Sequence, residues 1–146
     1  MTPPGIIIAA PASGSGKTVL TLALLRHLSQ SGLAVASAKT GPDYIDPAFH
    51  AAATGRACVN LDPWAMRGES LDRLISRMGQ GAKLLICEGV MGLFDSAASG
   101  SGSSADLAVH TGWPVVLVVD SRHQGASAAA VVRGFASHRD DVEVAG

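Results

Sequence analysis

Residues 5–20, GIIIAAPASGSGKTVL, contain an apolar run, a turn rich in glycine and serine, and the start of a segment rich in leucine and alanine. The β-branched apolar run predicts a buried strand over 5–10. The segment 17–31 has no internal glycine or proline and ends before Gly32, which predicts a helix with a glycine just past its end. A strand, a glycine-rich turn and a helix in this order place backbone N–H groups where they converge on phosphate.

The turn itself, PASGSGKT at 11–18, matches the end of the phosphate-loop motif GxxxxGK[ST] but has Pro11 in place of the first glycine. We expect Lys17 to reach the β- and γ-phosphates of a nucleotide and the Thr18 hydroxyl to bind Mg²⁺. The predicted nucleotide-binding residues are Ser13, Gly14, Ser15, Gly16, Lys17 and Thr18. A chance glycine–serine turn is the alternative, and the flanking strand and helix argue against it. A dinucleotide fingerprint is disfavoured because Val19 stands where glycine or alanine is required.

Further apolar runs alternate with helical patterns along the rest of the chain. The predicted strands are 33–38, 83–87, 114–119 and 142–145, and the predicted helices are 48–54, 70–78, 104–111 and 124–138. Segments 39–47 and 88–103 are predicted loops, and 60–68 is predicted to be irregular. Continuously apolar strands separated by helices indicate a doubly wound α/β fold with a mostly parallel sheet.

Two acidic segments, KTGPDYIDP at 39–47 and EGVMGLFD at 88–95, follow predicted strands. Loops after parallel strands gather at one sheet edge, so Asp43 and Asp46 are expected near the γ-phosphate. Glu88 follows its strand directly, where an acid can hold Mg²⁺ itself or through water. Thr18, Asp43 and Glu88 are therefore the predicted Mg²⁺ ligands. Solvated turn aspartates and a strand-end charge are the alternatives.

Composition excludes several other classes of protein. Of the 146 residues, 47% are hydrophobic and 16% charged, which argues against disorder. The net charge of −1 excludes nucleic-acid binding driven by bulk positive charge. Cys58 and Cys87 have no CxxC spacing, so a zinc ribbon or a disulfide scaffold is not expected. The five histidines are scattered singly, which favours surface or internally satisfied roles. No signal peptide or membrane-spanning run is found, so we expect a cytoplasmic protein without a membrane partner.

Six motifs occur in order from Ile6 to about Val144, namely PASGSGKT, KTGPDYIDPAFH, NLDPWAM, EGVMGLFD, SSADLA and PVVLVVD. Together they resemble the N-terminal synthetase part of the cobyrinic or hydrogenobyrinic acid a,c-diamide synthases. The resemblance implies a P-loop NTPase fold of the dethiobiotin-synthetase-like type. It also implies that residues 1–146 form an ATP-binding amidoligase domain, and we expect this domain to be truncated and to lack the family's C-terminal glutaminase domain.

The family's chemistry, as the resemblance implies it, is ATP- and Mg²⁺-dependent amidation of the a- and c-side-chain carboxylates of a corrin through acyl phosphates, in cobalamin biosynthesis. The resemblance also implies that the ammonia comes from a glutaminase domain in the full-length protein. Asp43, Tyr44 and Asp46 match the loop that orients the substrate carboxylate. Asp95 matches an acid linked to Mg-ATP, and Lys39 is expected to stabilise the transferring phosphoryl group. A homodimer remains open.

Some features depart from the family pattern or leave alternatives. Ser96 replaces the glycine that usually follows FD, and neither cysteine lies in a nucleophile elbow. Cys58 is expected in a loop without a catalytic partner nearby in sequence, and burial beside Glu88 is expected to raise the pKa of Cys87. Any amidation by this chain should therefore need free ammonia. A nickel-sirohydrochlorin a,c-diamide synthase remains an alternative. A partitioning-type ATPase switch is disfavoured because Ala12 replaces that class's extra lysine.

Overall fold

The computed structural model describes residues 3–98 and 100–146, in which strands and helices alternate. In chain order the elements are β1 (Gly5–Ala9), α1 (Lys17–Gln30), β2 (Val35–Thr40), α2 (Asp46–Thr54), β3 (Val59–Leu61), α3 (Gly68–Met78), β4 (Leu84–Glu88), α4 (Ser104–Thr111), β5 (Val115–Leu117) and α5 (Ser127–Ser137). None of the helices in these residues is long and apolar enough to cross a membrane.

The strands form one sheet in the order β3-β2-β4-β1-β5, and every pair among the named strands is parallel. The predicted α/β architecture with a parallel sheet is confirmed. After β1 the chain adds β2, β3 and β4 on one lateral side of β1, and it then crosses from β4 to β5 on the other lateral side. The strand order therefore reverses beside β1. Ligands of open parallel sheets bind at the carboxyl ends of the strands next to such a reversal. The topology therefore predicts a ligand site at the β1–α1 turn.

The core lies on both faces of the sheet. Ile7 belongs to one apolar cluster and Ile8, its neighbour in β1, to the other, and neither side chain is exposed. Leu25 of α1 packs in the same cluster as Ile8. A strand buried on both faces needs apolar residues at every position, which explains why the run at 5–10 lacks polar alternation.

Several boundaries differ from prediction. The first residues of the segment predicted to be irregular belong to β3, which pairs with β2 at the sheet edge. Lys39 and Glu88 were both expected in loops but lie within β2 and β4, directly opposite each other in the parallel register. Helix α2 begins at Asp46, two residues earlier than expected, with Pro47 in its first turn. Proline is well tolerated there because the first helical N–H groups have no intrahelical acceptor.

The C-terminal elements are shorter than predicted. Helix α5 begins at Ser127, three residues later than predicted, because residues 125 and 126 form a bend and a turn before it. The strand expected over 142–145 is reduced to a single parallel bridge between Val144 and Val115. Backbone hydrogen bonds from Val115 to Glu143 and from Ala145 to Val115 hold this bridge against the free edge of β5.

Candidate nucleotide site

The glycine-rich turn between β1 and α1 has the backbone that a phosphate loop requires. Gly14 and Gly16 have φ angles of 80° and 90°, in the left-handed region that disfavours side chains. A Cβ added to either glycine would meet no atom within 4 Å, so the space around the turn is open. The first turn of α1 contains no acidic residue to offset the positive end of the helix dipole. The loop is thus shaped and polarised for an anion.

Lys17, the first residue of α1, connects this loop to the segment after β4. Its ammonium donates to the carbonyl of Met91 at 2.9 Å and lies 3.5 Å from that of Ala12. Met91 is the non-glycine residue with positive φ (49°) within the described ranges, a conformation that costs free energy. Burial, followed by repulsion from Lys39, lowers the pKa of Lys17. The lysine is therefore held next to the turn by backbone carbonyls, which are neutral acceptors that phosphate oxygens can replace.

Glu88 is the centre of the site and is fully buried at the end of β4. Its Oε1 accepts hydrogen bonds from the Thr18 hydroxyl at 2.5 Å and from the Lys39 ammonium at 2.8 Å. Its Oε2 lies 2.8 Å from Nε2 of His50. Burial alone would raise the pKa of Glu88, but the hydrogen bonds with His50, Lys39 and Thr18 outweigh it and lower the pKa to about 2. The carboxylate is therefore ionised at neutral pH.

Lys39 joins this carboxylate to a second one. Its ammonium, which is almost fully buried, donates to Asp46 Oδ2 at 2.6 Å and lies 3.8 Å from Asp43 Oδ2. Burial would lower the pKa of Lys39, but hydrogen bonds to Asp46 and Glu88 raise it overall. The Thr18 hydroxyl is 3.5 Å from Asp46 Oδ2. We call Thr18, Lys39, Asp46 and Glu88 the lysine–carboxylate cluster.

His50 and Cys58 were not among the predicted site residues. His50 is fully buried on α2, and its Nδ1 lies 3.6 Å from the Cys58 thiol. Burial would lower the pKa of His50, but contacts with Cys58 and Glu88 raise it to about 9. The expectation that the histidines are exposed or hydrogen-bonded internally is confirmed for His50, and its partner, Glu88, belongs to the site. Cys58 lacks a partner nearby in sequence, and the fold supplies one from α2.

The remaining predicted residues lie in the segments after β2 and β4. Asp43 Oδ1 accepts the backbone N–H groups of Ile45 and Asp46, and these bonds lower the pKa of Asp43 against the opposing effect of burial. Tyr44 is 90% exposed, so its ring lies outside the core. Asp95 Oδ2 accepts the N–H of Gly92 at 2.7 Å and shapes the loop that Lys17 contacts.

Two further predicted site residues are serines of the glycine-rich turn, whereas the buried Cys87 was not predicted to belong to the site. Ser13 is exposed in the turn, and the Ser15 hydroxyl donates to the carbonyl of Ala12 at 2.9 Å. Cys87 is fully buried, and burial raises its pKa to about 12. The expectation of a scarce thiolate at Cys87 is thereby confirmed.

The oxygen atoms present fit Mg²⁺ bound together with nucleotide phosphates. Magnesium is usually held by one or two carboxylates plus water and phosphate oxygens rather than by an all-protein cage. Thr18, Glu88 and Asp46 supply a hydroxyl and two carboxylates within one cluster. In the part of the chain that is described, no group of three or more His, Cys, Asp or Glu side chains is placed to hold a metal ion. Asp43 contacts the cluster through Lys39, and its assignment as a ligand stays a prediction.

An open cleft of about 770 Å³ adjoins the glycine turn. Its walls are Gly14, Ser15, Gly16, Val19, Leu20, Ala23, Val119, Asp120, Ser121 and Arg122. Apolar side chains of α1 form one wall, and the segment after β5 forms the other. The cleft has the size of small-molecule sites and lies where the nucleoside of a loop-bound nucleotide could extend.

Comparison with known proteins identifies close relatives of this sequence. Hydrogenobyrinate a,c-diamide synthases from Sinorhizobium sp and Brucella anthropi are 58% and 61% identical to it over 97% of this chain. The corresponding synthase from Rhodobacter capsulatus is 57% identical over 99% of this chain. The chain spans about a third of the length of these curated relatives, at 33%, 33% and 34%. The resemblance seen in the motifs is confirmed.

Comparison of structures supports the same fold at greater distance. Chloroplast FtsY from Physcomitrella patens matches with a TM-score of 0.62 and 17% identity, covering 96% of this chain and 48% of that one. At this identity the likeness concerns the fold alone. The family model described as the CobQ/CobB/MinD/ParA nucleotide binding domain matches residues 6–146. The chain, with its phosphate-loop turn and parallel sheet, belongs to the CobQ/CobB/MinD/ParA nucleotide-binding domain family.

Proposed function

We propose that this chain is the ATP-binding part of an enzyme that amidates the a- and c-side-chain carboxylates of hydrogenobyrinate. The observation that carries the proposal is the buried lysine–carboxylate cluster beside an open glycine turn. The names of the relatives support the substrate class. The chain spans a third of their length, and in this proposal, as the resemblance implies, another part of such a protein supplies ammonia by hydrolysing glutamine.

The chemistry proceeds in two balanced steps. A substrate carboxylate oxygen attacks the γ-phosphorus of ATP, and the bond between that phosphorus and the oxygen bridging to the β-phosphate breaks. The products of this step are ADP and an acyl phosphate. Ammonia then attacks the acyl carbon, loses a proton, and displaces inorganic phosphate to form the amide. Phosphoryl transfer of this kind needs positioning and charge neutralisation more than a protein nucleophile. The two buried lysines at this edge, Lys17 and Lys39, meet the second requirement.

Each side chain has a distinct role in the proposal. The turn at 13–18 holds the phosphates through backbone N–H groups, and Lys17 exchanges its carbonyl acceptors for phosphate oxygens. Thr18, Glu88 and Asp46 would hold Mg²⁺, which when bound neutralises charge on the phosphate oxygens. Lys39 stays between the carboxylates and the transferring group.

The loop after β2 would receive the substrate. An anionic substrate approaching Asp43 and Asp46 needs a cation there, and Lys39 lies within 3.8 Å and 2.6 Å of these carboxylates. Tyr44 and the neighbouring Ile45 are 90% and 68% exposed and offer apolar surface to a macrocycle. Orientation of the substrate carboxylate by Asp43, Tyr44 and Asp46, and support of Mg-ATP by Asp95, remain predictions of the resemblance.

The family also includes MinD and ParA proteins, so an ATPase switch is the alternative within the family. Ala12 in the turn and the acidic segment at 39–47 favour the amidation function. The three relatives named above favour hydrogenobyrinate over a nickel-containing macrocycle.

Calorimetric titration of the chain with ATP and Mg²⁺ tests nucleotide binding. Lys17→Ala should weaken binding at least about tenfold, because one charge-assisted contact to phosphate is worth more than 1.4 kcal/mol. Lys83→Ala is the matched control, since Lys83 is exposed just before β4. Equal affinity of a well-folded Lys17→Ala variant and the wild type would refute the assignment of the turn.

Chromatography of reactions with hydrogenobyrinic acid, ATP and Mg²⁺ tests amidation. We expect diamide with ammonium and none with glutamine, and Asp46→Asn should lose product while ATP still binds in the absence of Mg²⁺. Absence of product from a chain that binds Mg-ATP would refute amidation by this chain alone. Product supported by glutamine would contradict the assignment of glutamine hydrolysis to another part of the protein.

A further inference from the structure

The geometry points to His50 as a positioning residue that fixes the Glu88 carboxylate towards Thr18, where Mg²⁺ and the nucleotide phosphates would bind. This inference rests on the proposed function and deepens it, because it assigns a role to a side chain outside the phosphate loop and the acidic loop.

The two oxygens of Glu88 have separate partners. Oε1 faces Thr18 of α1 and Lys39 of β2, whereas Oε2 faces His50 of α2 at 2.8 Å. The glutamate is 0% exposed, so water cannot replace a missing donor without a change in packing. Without His50, the buried Oε2 would lose this hydrogen bond, and a buried acceptor without a donor destabilises the folded state. The terminal torsion of glutamate is broad, so a carboxylate fixed by one oxygen could rotate away from Thr18.

His50 is itself held in place. It lies four residues after Asp46 on α2, so both side chains project from the same face of the helix towards the cluster. The ionised Glu88 carboxylate can only accept, so Nε2 carries a proton and donates the hydrogen bond. The other ring nitrogen, Nδ1, lies 3.6 Å from the Cys58 thiol, next to the start of β3. The imidazole is thus anchored at both nitrogens, as second-shell partners of metal-binding groups commonly are.

A pair of substitutions separates the hydrogen bond from the bulk of the ring. In His50→Gln the amide nitrogen is as many bonds from Cα as Nε2 and can still donate to Glu88. In His50→Asn the nitrogen takes the position of Nδ1 and does not reach. His110→Asn is the matched control, because His110 Nε2 lies 2.8 Å from Asp72 Oδ1, the same separation as in the His50–Glu88 pair but outside the site.

The readout is ATP affinity by calorimetry with Mg²⁺ and again with EDTA, with thermal melting by circular dichroism as a check of folding. We expect His50→Asn to lose about tenfold or more of the affinity for Mg-ATP. Its affinity without Mg²⁺ should change by less than about twofold, and His50→Gln should stay within about threefold of the wild type. His110→Asn should match the wild type in both media. Equal losses with and without Mg²⁺, or no loss in His50→Asn, would overturn the inference.

A measurement on the unsubstituted chain covers the case in which His50→Asn does not fold. Nitrogen-15 NMR of the histidines should show a proton on Nε2 of His50 that exchanges slowly with solvent. An unprotonated Nε2 would overturn the positioning role. If the wild-type chain fails to bind Mg-ATP, the proposed function is refuted, and this spectrum still tests the hydrogen bond from His50 to Glu88.

Discussion

Lys39 bridges both carboxylates of the lysine–carboxylate cluster, and replacing it tests whether its charge stabilises the site. Lys39→Met keeps the length of an unbranched chain and removes the ammonium. Removing one partner of a buried ion pair usually costs about 3–5 kcal/mol, because the other charge stays buried without compensation. Glu88 keeps its bonds with Thr18 and His50, and the Asp46 side chain is 21% exposed and can be partly hydrated. We therefore expect the lower end of that range, about 3 kcal/mol.

Urea unfolding followed by circular dichroism at pH 7 measures this free energy, and the slope with denaturant checks that the unfolded and folded states are comparable. Lys83→Met is the control with the same chemical change at an exposed position, and it should stay within about 0.5 kcal/mol of the wild type. The double variant Lys39→Met/Glu88→Gln should recover part of the loss, because it removes the uncompensated carboxylate.

A Lys39→Met variant within about 1 kcal/mol of the wild type, with an unchanged slope, would refute this reasoning. Such a result would mean that Glu88 is not buried as a charge or that water compensates it. A double variant less stable than Lys39→Met would also contradict it, since the penalty would then come from lost packing rather than from charge.

Three further predictions follow from single contacts. A Cβ at Gly92 would lie 2.6 Å from a backbone carbonyl oxygen, so Gly92→Ala should lower the free energy of unfolding, measured in urea, by about 1–3 kcal/mol. Gly134→Ala is the control and should not destabilise the chain, because the space around Gly134 in α5 is open. Iodoacetamide at pH 8 should label Cys58 before Cys87, as followed by mass spectrometry, because full burial and a pKa of about 12 suppress the reaction of Cys87. Faster labelling of Cys87 would contradict its buried position. The pKa of Glu88 is about 2 in the folded state against an ordinary 4.5, so ionised Glu88 stabilises the folded state by roughly 3 kcal/mol. This contribution is present above pH 4.5 and is lost as the pH falls towards 2. Measuring the free energy of unfolding of the wild type and of Glu88→Gln as a function of pH would show the loss in the wild type only.

The sequence predicted the fold well where strands are buried on both faces. Runs such as that at 5–10 must be apolar throughout, and this requirement is visible without a structure. The edge strand β3 was missed because its three residues, VNL, include a polar centre and follow no long apolar run. Such a strand exists because β2 offers it an edge, which is a tertiary property.

The predicted loop boundaries failed at the two charged residues that matter most. Lys39 and Glu88 look like loop residues because charges rarely lie in buried strands. They lie opposite each other in the β2–β4 register, so each provides the opposite charge that permits the other's burial. A single strand's pattern cannot reveal this, because the compensation comes from a neighbour 49 residues away.

The histidine at position 50 could have been found from sequence with a different reading of one boundary. Pro47 favours the first turn of a helix, and a helix that begins at Asp46 places Asp46 and His50 four residues apart on one face. The position of Cys58 could not be found in this way, because it depends on where β3 joins the sheet. Asp46 and His50 move together on one short helix, so any shift of α2 on substrate binding would change the contacts of Lys39 and both oxygens of Glu88 at once.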